Sequence, residues 1–401
     1  MPTTHDDLRQ GRKQIRPRLR RDLAVSQQRH NHKTCYVVKD PVRLRYFRFT
    51  EQEYFLLERL DGKTSTEDLR RAYEQRYRPQ RLPLEDVEVF LRQLIQAGLV
   101  GTESSSAARP LLKRRRQNRR RERIANLTNV LAFRIRVCDP DRFLNKLLPV
   151  MGGLFSPLVG VCALALVLSA LLLVGMHFQE LVSKLPDAHA FFTFKTAIYL
   201  WVALGCVKVL HELGHGLTCK AFGGEVHETG LMFLCLAPCL YCEVSDSWML
   251  PSKRKRMLIG LAGIFVELIV ASIATFVWWY STPGSMLHQL SLCLVIVCSV
   301  NTLLFNGNPL LRYDGYFVLA DFLDMPNLKM QSSRVVKQWL GGLTLGLPMQ
   351  LKERLSPGRR AFLLTYGILS SIYLTIITVG VFCFIHGFLK PHKLEALTWI
   401  L

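Results

Sequence analysis

The sequence predicts a polytopic α-helical membrane protein of about five spans, preceded by a small soluble α+β domain. Three observations carry this. Five stretches are apolar over roughly the 20 residues that a helix needs to cross a bilayer. The 401-residue chain has a formal net charge of +21 and 21% charged residues beside 49% hydrophobic ones, and the two kinds are segregated. Residues 1–150 hold 34 of the 52 Lys and Arg and 18 of the 31 Asp and Glu, a net of +16, which leaves only +5 for residues 151–401. A basic soluble front therefore precedes an apolar body. Third, residues 35–100 alternate strand and capped-helix signals at the spacing of a compact domain.

Residues 1–34 are basic and mostly polar, and are expected to be flexible. Cys35–Lys39 and Arg43–Phe49 read as short strands around a turn at Asp40–Pro41, the second alternating apolar and basic residues. Thr50 and Glu53 have capping-box spacing ahead of Tyr54, Leu56, Leu57 and Leu60, and Asp61-Gly62 closes that helix. Thr64 and Glu67 repeat the signal before a helix running to about Tyr77. A third helix spans about Leu84–Ala97, with Val87, Phe90, Leu91, Leu94 and Ile95 on one side and Gly98 as its stop. This order, with the stretch "KDPVRLRYFRFTEQEYFLLERLDGKTSTEDL", resembles the PqqD-like winged-helix domain over residues 35–100. The resemblance implies binding of a leader peptide along a strand edge and the third helix. A basic winged helix can also bind DNA, but tethering to a membrane makes nucleic acid the weaker expectation.

Residues 101–145 form a basic linker and membrane-proximal segment. The block "KRRRQNRRRER" is either a solvated linker or a strip attracted to anionic lipid, and the nearby span favours lipid. The membrane part is expected over 146–401, with spans near 158–176, 196–218, 257–280, 286–311 and 361–389. The front, the run Lys253–Arg256 and the basic stretch from Arg312 to Arg360 all fall on one side if the N-terminus is cytoplasmic. The arginine-rich N-terminus has no apolar core of the kind an export signal needs, which agrees with that orientation. The expected location is a bacterial cytoplasmic membrane. The eleven cysteines are too scattered for a disulfide scaffold and read as buried free thiols; the close spacing of Cys235, Cys239 and Cys242 only weakly suggests a structural metal.

Chemistry concentrates in the second span, within "VLHELGHGLTC". Residues i and i+4 share a helix face, so His211 and His215 can hold one metal ion, with Glu212 beside it as a general base toward a metal-bound water. Such a pattern arises by chance in soluble helices. Inside a span, each ionisable side chain costs about 2.5–3.5 kcal/mol, and a metal-bound cluster supplies the compensation. A catalytic zinc usually takes three protein ligands and a water. Counted from Lys220, His215 and His211 lie roughly 7 and 13 Å inside the membrane. Asp314, just past the fourth span in "NGNPLLRYDGY", can fold back to that depth if the Asn-Pro backbone leaves regular helix. Glu267, about 16 Å inside the third span, is the rival ligand. Its other reading is a carboxylate that supports a ligand or pairs helices. Asp314 is preferred.

The HELGH of the second span, with "FNGNPLLRYDG" two spans later, resembles the site-2 protease family of intramembrane zinc metallopeptidases over about residues 195–325. Asn306, Pro309, Asp314 and Gly315 keep the spacing of that family's second motif. The resemblance implies a single Zn2+ held by His211, His215 and Asp314, Glu212 as catalytic base, and Asn306 as a substrate-holding residue, with Asn308 an open alternative. It also implies a membrane-embedded or membrane-associated peptide substrate. The stretch "EVHETGLMFL" is strand-like and too short to span; it is either a packed loop or, as the family suggests, a re-entrant β-hairpin that pairs with substrate. His227 reads as a surface or hairpin histidine, and Asp246 and Trp248 as residues of the membrane interface. Within the family, one group joins a PqqD-like front to this core, and some members continue into an exported adaptor-like domain, which this sequence, ending at Leu401, is expected to lack. The competing expectation is a non-cleaving membrane component of a peptide maturation or export system. A complete HExxH argues against it, because a scaffold has no use for Glu212.

Overall fold

The computed structural model describes residues 17–30, 33–102, 132–185, 193–234, 237–346 and 356–389. They form two compact units. The first combines the chain up to Asp139 with Gly224–Ser252; the second combines Pro140–Gly223 with the chain from Lys253 onward.

In the first unit, β1 (Pro17–Leu19), β2 (Ala24–His30), β3 (Lys33–Asp40) and β4 (Arg45–Thr50) precede three helices. Strands β2, β3 and β4 make an antiparallel sheet in that order, with Val38 opposite both Val25 and Phe47. Thr50 and Glu53 form a complete capping box at the start of α1 (Glu51–Glu58). Helix α2 (Thr66–Arg76) is capped by Ser65, one residue later than the spacing suggested, because Asp61 instead receives the backbone N–H groups of Lys63 and Thr64. Helix α3 (Leu84–Ala97) stops at Gly98, in the left-handed region at φ 79°. Its inner side meets α1 and the sheet in one core containing Val38, Phe49, Leu57, Leu69, Val87, Leu91, Leu94 and Leu99.

The expectation of a flexible stretch through residue 34 is corrected for residues 17–30. Strand β1 pairs with β5 (Val100–Thr102), and β2 forms an edge of the domain sheet. Arg20 ties this segment down through Asp40 and the Gly98 carbonyl. The β1–β5 pairing joins residues more than 80 positions apart, so no local pattern announces it, whereas β2 pairs with its sequence neighbour β3. The basic block of the linker lies outside the described residues.

Strand β6 (Ala132–Cys138) joins β7 (Thr229–Leu234) and β8 (Ala237–Cys242) in an antiparallel sheet ordered β6-β7-β8. Of the two readings left open for this region, a hairpin is what forms, with a third strand from the linker laid on one edge. The two ring nitrogens of His227 face carboxylate oxygens of Asp139 and Glu225, at 3.2 and 3.3 Å. Asp246 is buried and paired with Lys39 of β3, while Trp248 is exposed. Cys35, Cys219, Cys293 and Cys298 are buried free thiols, whereas Cys138, Cys162, Cys206 and Cys383 are exposed, so the buried-thiol expectation holds only in part. Cys242 is half-buried, Cys235 lies outside the described residues, and Cys239 is described only as backbone.

The second unit is helical: α4 (Asp141–Met151), α5 (Pro157–Met176), α6 (Phe178–Lys184), α7 (Phe194–Ala221), α8 (Lys253–Tyr280), α9 (Met286–Val300), α10 (Asp314–Phe322), α11 (Leu328–Leu345) and α12 (Pro357–Leu389). Among the described residues, α5, α7, α8, α12 and α9 with its continuation are the five helices long and apolar enough to cross a membrane. Helix α5 exposes Leu158, Val161, Leu164, Leu168, Leu171 and Leu172, a surface suited to lipid and not to water. The chain is an integral membrane protein. Helices α7, α8 and α9 pack on one another and form the centre of the unit. Tyr316, Leu328, Val335, Leu363 and Tyr366 join α10, α11 and α12 in a separate core.

The fourth span was expected to run to Leu311. Regular helix ends at Val300 and a π-helical turn, Asn301–Asn306, follows. Pro309 lacks a backbone N–H and restricts the residue before it, so the helix cannot continue through Asn308-Pro309.

Candidate metal centre

The centre is assembled from three helices and one loop of the second unit. Helix α7 places His211 and His215 one turn apart on the same buried side, both almost inaccessible. Their Nε2 atoms lie 3.1 Å apart. Asp314 opens the first turn of α10, where its charge suits the helix N-terminus. Its Oδ2 lies 3.0 Å from Nε2 of His211 and 3.3 Å from Nε2 of His215.

What holds Asp314 there is the loop from Gly307 to Tyr313. Tyr366 donates to the Pro309 carbonyl at 2.8 Å and Ser370 to the Leu310 carbonyl at 2.6 Å, so α12 anchors the loop. Gly315 lets the start of α10 close on it: a Cβ there would stand 2.6 Å from the Gly307 carbonyl oxygen.

The far nitrogens of the two rings are also engaged. Nδ1 of His215 lies 2.6 Å from the Ile259 carbonyl, and Nδ1 of His211 lies 2.8 Å from Oε1 of Glu267. An imidazole that donates from Nδ1 presents the Nε2 lone pair as its ligand atom. Both Nε2 atoms thus face Asp314. The three ligand atoms form a triangle with edges of 3.0–3.3 Å. Around a tetrahedral ion with zinc-like bonds of 2.0–2.1 Å, ligand atoms stand about 3.3 Å apart. Two imidazoles and a carboxylate are also the donor types that a catalytic zinc takes. His211, His215 and Asp314 are a grouping of ligand atoms close enough to share one ion.

Room for this grouping depends on Gly263 of α8. A Cβ there would stand 2.5 Å from Cε1 of His211, 2.5 Å from Nε2 of His215 and 2.6 Å from Nε2 of His211. Ile259, Gly263 and Glu267 recur every fourth residue, so α8 turns a carbonyl, a gap and a carboxylate toward the histidines. Sequence reasoning singled out Glu267 but missed Gly263 and the Ile259 carbonyl. A small residue one turn before a buried acid in an apolar span was the available signal.

Among the other site residues, Glu212 sits half-buried next to His211 on α7. Asn306, at the end of the π turn, is buried and donates to Oε1 of Glu267 at 3.0 Å. Asn308 turns away: its Oδ1 accepts from the backbone N–H of Leu310 at 2.9 Å. Glu267 contacts the ring nitrogen of His211 opposite the one that faces Asp314.

Residues 199–290 match the family model of peptidase family M50. That segment contains His211, Glu212, His215, Gly263 and Glu267; Asn306 and Asp314 lie beyond it and come to the centre by geometry. Residues 35–100 match the model described as coenzyme PQQ synthesis protein D (PqqD). The M50 segment and the PqqD segment correspond to the two resemblances read from the sequence. A curated Bacillus subtilis (strain 168) protein, "Putative peptide zinc metalloprotease protein YydH", is 26% identical over 151 residues, 37% of this chain and 57% of that protein. The match thus spans little more than half of that relative's length. No solved structure matches.

Proposed function

We propose that this chain is an intramembrane zinc metalloprotease that hydrolyses a peptide bond of a membrane-associated protein or peptide. The observation that carries the reading is the triangle of His211, His215 and Asp314, whose ligand atoms lie 3.0–3.3 Å apart, with both histidines and Glu212 in one apolar span. The M50 match over residues 199–290 and the similarity to a protein named a peptide zinc metalloprotease support it.

A zinc ion bound by these three residues would polarise the scissile carbonyl and bring a water near a neutral pKa. Glu212 takes the proton of the attacking water and returns it to the leaving amine. Asn306 helps hold the substrate backbone next to His211. Among the described residues β8 is an outer strand of its sheet, and an outer strand is where an extended peptide chain can pair. The PqqD segment binds a leader peptide and so selects the substrate. The distribution of Lys and Arg favours a cytoplasmic front domain, and the basic linker favours contact with anionic lipid.

The test is Glu212→Gln in the full chain, reconstituted with peptides that carry an apolar span. Zinc content should stay at the wild-type level while cleavage, read by mass, falls about 10²–10⁴-fold, the usual contribution of a general base. Retained cleavage would remove Glu212 from the mechanism.

A further inference from the structure

Glu267 is completely buried in α8, yet its carboxylate is crowded with donors. Oε1 faces Nδ1 of His211 at 2.8 Å and Nδ2 of Asn306 at 3.0 Å. Oε1 also receives Nδ2 of Asn301, and Oε2 receives the hydroxyl of Thr302. Three of these four partners belong to the π-helical turn Asn301–Asn306, and the fourth is a candidate metal ligand. Three donors crowd Oε1 and one meets Oε2, so both oxygens of the buried carboxylate are engaged.

We propose that Glu267 is a positioning residue that fixes His211 for metal binding and, through the same oxygen, fixes Asn306 beside it. The inference rests on the zinc reading above. For Nε2 of His211 to hold a metal, Nδ1 must carry the ring proton, and Glu267 is the acceptor that this proton meets. His215 has a backbone carbonyl in the equivalent place, which a side-chain substitution cannot remove. His211 depends on a side chain, and the two ligands are therefore unequal. The carboxylate also offsets charge. A divalent ion with Asp314 as its acidic ligand would leave an excess positive charge in an apolar interior, where uncompensated charge is expensive. Glu267 supplies a second negative group one imidazole away.

The π turn completes the arrangement. Widening the helix by one residue per turn changes the direction of the side chains that follow, and such turns recur at functional sites. Here Asn301, Thr302 and Asn306 all converge on Glu267. The carboxylate therefore holds the turn in the geometry that brings Asn306 to His211. A metal ligand and a substrate-holding residue share one anchor, so loosening it disturbs both.

The experiment measures zinc affinity of the full chain in detergent by competition with a chromogenic chelator, together with the visible spectrum of the Co2+-loaded protein. Glu267→Gln should weaken zinc binding by about 10–100-fold, the usual effect of removing a ligand's hydrogen-bond partner, and should shift the Co2+ bands. Thr302→Val, which removes one donor on the side away from the histidines, should weaken zinc in the same direction by a smaller factor. It keeps the question answerable if Glu267→Gln fails to fold. Wild-type affinity and an unshifted Co2+ spectrum in the folded variants would overturn the role of Glu267 while leaving the zinc reading intact. A wild-type chain that binds no zinc would remove both.

Discussion

Lys39 and Asp246, 207 residues apart, form a buried ion pair with 2.5 Å between Nζ and Oδ1. Lys39 reaches Glu225 as well, at 2.7 Å, and Tyr46 donates to Asp246 at 3.0 Å. Ser26 donates to the Met249 carbonyl at 2.7 Å, and Gln28 reaches the Leu250 carbonyl at 3.3 Å. The β2-β3-β4 sheet is thereby fixed to the chain that follows the hairpin, and the first unit is one body made from two distant parts of the sequence.

Removing one partner of a buried pair strands the other, at a cost of up to about 3–5 kcal/mol. Lys39→Met should therefore lower the thermal unfolding temperature of the first unit, and Lys39→Met with Asp246→Asn should recover most of the loss. Equal stability of the single variant and the wild type would show that the pair holds nothing together. Burial alone would lower the Lys39 ammonium, but Asp246 and Glu225 outweigh it and raise it, so its contribution is present below about pH 10.4 and is lost as pH rises through the raised value. Lys39 holds the Glu225 carboxyl below its ordinary value, so that contribution is present above about pH 4.3 and is lost as pH falls through the lowered value. The deficit of Lys39→Met should accordingly be constant between about pH 5 and 9 and shrink in acid.

Gly263→Ala has an informative sign. In an ordinary helix this change stabilises by roughly 0.5–1 kcal/mol. Here the new methyl would occupy space 2.5 Å from atoms of both histidines. The variant should retain its helical circular dichroism and lose zinc affinity by at least about 100-fold, since two ligands must move. Undiminished zinc binding would mean that α8 does not press on the centre.

Asn306 and Asn308 separate two readings that spacing left open. Asn308→Ala removes the acceptor for the Leu310 N–H and should cost about 1 kcal/mol of stability with little change in cleavage per folded molecule. Asn306→Ala should lower cleavage at least about tenfold when measured with zinc in excess, so that the site stays loaded. The reverse pattern in cleavage assays would assign substrate contact to Asn308.

Much of this architecture was readable because it is local. The cap at Thr50, the stop at Gly98 and the i, i+4 pair in α7 each depend on neighbours within one or two turns. Asp314 was reachable because an Asn-Pro break shows where a helix must end. What stayed hidden is non-local. Membrane depth allowed Glu267 to approach the histidines, but depth says nothing about rotation around the α8 axis, which decides that it meets Nδ1 of His211. Likewise, a polar arginine-rich N-terminus carries no local sign that β1 will pair with β5, or that β6 will join the hairpin.

The most direct test of the centre is the zinc content of the purified chain, measured for the wild type and for Asp314→Ala. A metal held by two imidazoles and this carboxylate predicts about one zinc per wild-type chain and a large loss in the variant, because two nitrogen ligands alone form a weak site. An Asp314→Ala protein that retains its full complement of zinc would contradict the assignment and return the third position to another residue.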